Sequence, residues 1–176
     1  DQQLVLDGVA SRLRSDSIRL TLDNFDISPL SALLGRWGYN IAGVTNGYAT
    51  VKSALSNPEL EAAISLDSLA VNGLKAPPQD ITSNWDFKDN RARVFIIERD
   101  RRDTVIRGYY QPQGNRYYAR ASMQNMKLAL ISPFLKDIIS DIEGDADIEA
   151  RIVGEGRQAT LSGSATVDDI GATVDY

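Results

Sequence analysis

The sequence predicts a mostly β chain whose antiparallel-rich sheet curls into an open groove with an apolar interior, accompanied by two short helices. Three observations predict it. Apolar and polar residues alternate with a period of two over long stretches, an internal repeat recurs along the chain, and many apolar-side positions hold small residues. The stretch "DIEGDADIEARI" shows the alternation most plainly. Asp141, Glu143, Asp145, Asp147 and Glu149 occupy every second position, with Ile142, Gly144, Ala146, Ile148, Ala150 and Ile152 as the other set. A strand sends alternate side chains to opposite faces, so this is one acidic face and one apolar face. A calcium loop of the EF-hand type needs Gly at its sixth position and a closing Glu at its twelfth. Counting from Asp141 places Ala146 and Ile152 there, and counting from Asp145 places Ala150 and Gly156. Both registers fail, so the stretch reads as a strand with a solvated acidic side.

The repeat has an offset of 101 residues, kept without gaps: Arg19 falls on Arg120, Asn24 on Asn125, Ile41 on Ile142 and Asp67 on Asp168. Apolar positions follow, with Ile64, Leu66 and Leu69 over Ala165, Val167 and Ile170. The repeat copies span about 18–74 and 119–175, with a β-meander over 75–118, in a single fragment of a longer domain covering 1–176. The five acidic positions of the second copy are Asn40, Ala42, Val44, Asn46 and Tyr48 in the first. None is charged, so the carboxylates read as solubilising residues.

In the first copy "IRLTLDNF" is a strand with Ile18, Leu20 and Leu22 on one side. "DISPLSALLGRWGYN" predicts a short helix, with Ser28 as N-cap, Pro29 in the first turn and Gly38 as the stop. Its apolar stripe is Leu30, Leu33, Leu34 and Trp37. "NIAGVTNGYATVKS" and "NPELEAAISLDSLAVNGL" follow as strands, in which Leu60, Ala62, Ile64 and Leu66 alternate with Glu61, Ala63, Ser65 and Asp67. The meander runs "ITSNWDF", a turn at Lys88-Asp89-Asn90, "ARVFIIE", the turn "RDRRD", "TVIRGYY", the turn "QPQGN" and "RYYARASM". The run Arg99, Arg101, Arg102 is interleaved with Asp100 and Asp103, which suits a charged hairpin tip better than a phosphate contact. Trp85, Phe87, Tyr109, Tyr110, Tyr117 and Tyr118 suit strand packing better than a sugar platform. The second copy places its helix on "ISPFLKDIIS", about one turn later than the offset requires, and its last strands on "DIEGDADIEARIVG" and "GRQATLSGSATVDDIGATVDY".

Composition removes whole classes of function. With no His and no Cys, a Ser-His-Asp or Cys-His nucleophile and a zinc site of the usual nitrogen and sulfur type are impossible. A net charge of −5, with positive residues mostly scattered, argues against a nucleic-acid footprint. No stretch has the apolar length of a membrane span. The dense acids lie on a strand face with no sign of a cleft, so no catalytic role is expected, and neither a metal nor another cofactor. Small residues at Gly43, Gly47, Ala49, Gly144, Ala146, Ala150 and Gly163 leave room along the apolar side, where a two-sheet sandwich would carry large interlocking side chains.

The order Ile27-Ser28-Pro29-Leu30, Ile41-x-Gly43 and Pro58-x-Leu60-x-Ala62-x-Ile64-x-Leu66-Asp67 resembles the repeat of the TamB and AsmA-like proteins of diderm bacteria. The second copy carries Ile131-Ser132-Pro133-Phe134, Ile142-x-Gly144 and Leu161-x-Gly163-x-Ala165, and the terminal "VDY" looks like a phrase of the TamB C-terminal domain. The copy departs from the pattern in having Ala159 where a Pro precedes the strand. The resemblance implies a long periplasmic protein anchored in the inner membrane and working with TamA or another BamA-family outer-membrane protein. It implies a sheet bent into an open β-taco, or half-β-helix, that conducts phospholipid acyl chains or chaperones strands of outer-membrane proteins. The expected groove lining is Leu20 and Leu22, Ile41, Ala49 and Val51, Leu60, Ile64 and Leu66, then Trp85 and Phe87, Val94 and Ile96, and Ile106. In the second half it continues with Ala121 and Met123, Ile142, Ile148 and Ile152, Leu161 and Val167. The alternative is a structural or adhesin-like β-repeat with a filled core.

Overall fold

A computed structural model describes residues 1–35, 38–130 and 139–174, with the side chains of 139–142 and 168–174 left aside. Thirteen strands follow one another: β1 (Gln3–Gly8), β2 (Ser17–Asp26), β3 (Ile41–Ala42), β4 (Val44–Lys52), β5 (Glu59–Leu66), β6 (Ala70–Val71) and β7 (Leu74–Lys75), then β8 (Gln79–Asp86), β9 (Arg91–Glu98), β10 (Asp103–Gln111), β11 (Arg116–Lys127), β12 (Ile139–Glu155) and β13 (Gln158–Val174). Ten of them form one open sheet in the order β1-β2-β4-β5-β8-β9-β10-β11-β12-β13, every neighbouring pair antiparallel. The order along the sheet follows the chain, as short turns between antiparallel strands require. β3, β6 and β7 make a separate three-stranded sheet. The stretch Asp141–Ile152 lies inside the 17-residue β12, and the meander strands fall where their turn residues place them.

The helical part is smaller than expected. A 3-10 turn over Ser28–Leu30 runs into a single helical turn, α1 (Ser31–Leu34). Pro29 stands in the first turn as anticipated, but Ser28 is not the cap. Instead Asp26 accepts from both the backbone N–H and the hydroxyl of Ser28, and the residue at the N-cap is Ile27. Gly38 has φ +80 and donates its N–H to the Gly35 carbonyl, which ends the turn. Leu30 and Leu33 of the expected stripe are exposed, and Trp37 lies outside the described residues. The second expected helix, over 131–140, lies for 131–138 outside the described residues, and 139 and 140 belong to β12 instead. The described chain thus has one short α-helix.

The 101-residue offset recurs in backbone detail. The pairing of β2 with β4 shifts register between Leu22 and Phe25, and that of β11 with β12 shifts between Met123 and Met126. Within each bulge an Asn takes the left-handed conformation, Asn24 at φ 45 and Asn125 at φ 56. Each donates its N–H to a side chain across the gap, Asn46 Oδ1 at 2.8 Å and Asp147 Oδ1 at 2.9 Å. Asn46 and Asp147 are themselves 101 residues apart. Past each bulge a buried apolar residue closes the strand end, Ile27 and Leu128. A bulge adds a residue to one strand and sharpens its twist, so the same bend is built twice.

Asn is among the few residues that accept φ > 0 readily. Asn125→Val and Asn24→Val are each expected to lower unfolding free energy by about 1–2 kcal/mol, whereas Asn125→Gly leaves it nearly unchanged. Urea denaturation followed by circular dichroism measures both.

Candidate functional site

Residues directly opposite one another in a sheet share a face, so the registers define its two sides. One rank crosses all ten strands as Leu6, Leu20, Ala49, Ala62, Ser83, Val94, Gly108, Ala119, Ile152 and Leu161. The next is Leu4, Leu22, Gly47, Ile64, Ile81, Ile96, Ile106, Ala121, Ala150 and Gly163. At strands about 4.8 Å apart, such a rank is roughly 43 Å long. A third comprises Ile18, Val51 and Leu60, and farther along Trp85, Ala92, Tyr110, Tyr117, Gly154 and Ala159. Met123, Ile148 and Ala165 extend the face beyond the second rank, as do Met126, Ala146 and Val167 beyond the second bulge.

This face is only partly buried. Among the described residues only Ile27, Ala92, Val105, Leu128 and Ala146 are buried apolar residues. The large aliphatic side chains of the ranks are half-exposed through the middle of the sheet, and at its two margins Leu6 is 67% and Leu161 74% exposed. Two glycines on the face permit close approach between neighbouring groups. A Cβ at Gly47 would stand 2.1 Å from the Ala63 carbonyl oxygen, and one at Gly154 would stand 2.1 Å from the Tyr117 ring. The small residues therefore serve strand contact as well as space.

Most of the expected lining meets on this face: Leu20, Leu22, Ala49, Val51, Leu60, Ile64, Trp85, Val94, Ile96, Ile106, Ala121, Met123, Ile148, Ile152, Leu161 and Val167. Leu66 is there too, but its rank continues through Gln79 into Glu98, where the face turns polar. Ile41 is a correction: it sits in β3 of the small sheet, opposite Val71. Phe87 is another, since it lies in the turn beyond β8, 62% exposed, with the Arg14 guanidinium 5.1 Å from its ring centroid. Ile142 belongs to β12, and its side chain is outside the described set. The face also includes Leu4, Leu6, Ile18, Ile81 and Ala119, which the expected lining omits. Ile81, Ser83 and Trp85 do alternate, a signal weakened by the polar member between two apolar ones. Leu4 and Leu6 are hidden by Val5, which makes "LVL" read as a run.

The opposite face is polar and internally paired. Arg99 donates to Asp67 and Asp80, both at 2.7 Å, and these bonds hold the two carboxyls below their ordinary range. On the other face, where the rank of Leu66 ends, Arg101 donates to the buried Glu98 at 2.7 Å, so two members of the basic run have carboxylate partners within the fold. Three of the five acids of the stretch pair across to β11: Lys127 lies 2.7 Å from Asp145, Asn125 donates to Asp147, and Glu149 accepts from Ser122 and Arg120. They are cross-strand ties rather than free solubilising charge. Ser122 and then Arg120 lower the Glu149 carboxyl. In the first half Tyr48 stands where Glu149 does, and Arg19 lies 4.0 Å over its ring. The same slot is filled by a cation–π contact in one half and an ion pair in the other.

No three or more Asp or Glu side chains converge as metal ligands among the described residues. No described helix is long and apolar enough to cross a membrane. Comparisons with family models, with curated proteins and with solved structures found no match.

Carboxyls depressed in the folded state stabilise it above their unfolded pKa, and that contribution is lost as pH falls through the folded values. For Asp67 and Asp80, whose ordinary value is 3.8, the loss falls on the acid side, below about pH 4. Thermal melts between neutral and strongly acidic pH should decline in that window, with a shallower decline in Asp80→Asn.

Proposed function

We propose that this chain is a non-catalytic segment of a TamB-like periplasmic protein and that its apolar face shields phospholipid acyl chains between the inner and outer membranes. The observation that carries the reading is the pair of ranks, apolar but for Ser83, that run in register across ten strands and keep their large aliphatic side chains partly exposed. Covering apolar surface gains roughly 25 cal/mol per Å², or about 0.8 kcal/mol for each CH₂ removed from water. A hydrocarbon core about 30 Å thick contains two leaflets, so one chain is shorter than the ranks. A face of this length suits chains passed along it. Bending the sheet about this face would form the groove that the family resemblance implies, with the paired charges outside.

A full-length protein of this kind would be anchored in the inner membrane and engage TamA or another BamA-family protein. One observation favours a second reading, help to outer-membrane protein strands. β1 and β13 each pair on one side only among the described strands, and an incoming strand can add to such an edge. The filled-core alternative, a structural or adhesin-like β-repeat, is disfavoured by how few apolar residues are buried.

Solvent extraction of the purified chain followed by lipid mass spectrometry is expected to find phospholipid. Ile64→Asp and Ile148→Asp, which place a charge on the apolar face, should lose it and take up no fluorescent acyl probe while keeping β circular dichroism. Thr21→Asp, on the polar face, should behave as the parent does. Lipid-free parent protein that also ignores the probe would contradict the proposal.

A further inference from the structure

One row on the polar face departs from its paired surroundings. Arg107 of β10 stands directly opposite Arg120 of β11, which stands directly opposite Arg151 of β12. Three arginine positions thus line up on strands about 4.8 Å apart. Like charges directly opposite destabilise a sheet, and a chain of net charge −5 has no general surplus of positive charge to scatter. The corresponding row of the first half, built on Arg19, reads Asp7, Arg19, Thr50. There the cation faces an acid, donates to Thr50 Oγ1 at 3.3 Å and rests on Tyr48. The second half replaces both flanking residues with arginine.

Only the central cation forms an ion pair, with Glu149 at 3.0 Å, and the charge of Arg107 acts on the same carboxylate from farther away. Arg107 forms no side-chain hydrogen bond or ion pair among the described residues. Arg151 forms no ion pair there and holds its guanidinium 5.5 Å from the Tyr118 ring centroid. Tyr118, Arg120, Arg151 and Ser162 border a shallow hollow of about 280 Å³, with Glu149 at its side.

The geometry points to a binding site for a phosphate group on the polar face, formed by Arg107, Arg120 and Arg151 with the hydroxyls of Tyr118 and Ser162 beside them. Three arginines against the single carboxylate of Glu149 leave a surplus of two positive charges, which matches the charge of roughly −1.5 to −2 that a phosphate monoester carries at neutral pH. A single carboxylate would leave one of them uncompensated. The planar guanidinium fork binds phosphate oxygens in pairs, and three neighbouring strands supply the forks from one row of backbone positions. The site lies on the face opposite the aliphatic ranks, so it stands independently of acyl-chain binding.

The test uses the whole chain at low ionic strength with two probes, inorganic phosphate and vesicles of phosphatidylcholine containing phosphatidic acid, read against pure phosphatidylcholine vesicles. The double variant Arg107→Asp with Arg151→Thr restores the first-half row. It is expected to bind at least about tenfold more weakly, to melt no lower than the parent, and to take up the acyl probe as the parent does. Arg107→Gln alone should give an intermediate loss and provides the reading if the double variant does not fold. Saturation by inorganic phosphate identifies a soluble phosphate as the ligand, and binding confined to the acidic vesicles identifies a lipid headgroup. No binding of either probe by the parent, or undiminished binding in the variants, overturns the assignment.

Discussion

Because side chains alternate along a strand, a slip of one residue at any pairing would carry that strand's aliphatic set to the charged side. A slip between β4 and β5 would bring Glu61 into line with Ala49, where Ala62 now stands. The two faces are thus a product of register, and register must hold across ten strands for a rank to run unbroken from Leu6 to Leu161. In a sandwich the opposing layer would help enforce it. Here the buried apolar groups are few, and register rests on alternation, tight turns and polar ties on the charged side.

Those ties explain why the charged side is so densely paired. Arg99 links β5 and β8 to the turn after β9 through Asp67 and Asp80. Glu149 joins β12 to β11 through Arg120 and Ser122. Each exposed pair contributes little to stability, of order 0–1 kcal/mol, but each has its best geometry in one register. The bulges at Asn24 and Asn125 act likewise, since each extra residue is pinned by a side chain from the next strand. That Asn46 and Asp147 perform the same task also explains how the acidic stretch can differ so much from its counterpart. The slot needs an acceptor, and an amide oxygen or a carboxylate serves.

Period-two patterning made the long strands legible, and with them the sheet class and most members of its apolar face. The meander was readable because Lys88-Asp89-Asn90 and the residues around Gly114 turn the chain between alternating runs. Other features depend on placement in space. Ile41 follows the alternation of its stretch, yet the break at Gly43 sends it to the small sheet. Ser28 has the right chemistry for a cap, but Asp26 two residues earlier already reaches its N–H. Leu30 and Leu33 form a helical stripe in sequence, and on the single turn of α1 they stay exposed. The arginine row was out of reach, because Arg107, Arg120 and Arg151 come together only once the pairing of β10, β11 and β12 is known.

A sheet with one oily face and one tied, charged face is suited to holding hydrocarbon on one side while remaining in water on the other. The chain contains no cysteine, so single cysteines can be introduced along β5 without interference. The most direct measurement attaches a fluorophore at 61, 62, 63 or 64 in turn and adds a fatty acid carrying a spin label. Strong quenching at 62 and 64 with weak quenching at 61 and 63 is the predicted result. Equal quenching at all four positions, or none at any, would contradict an apolar face open to acyl chains.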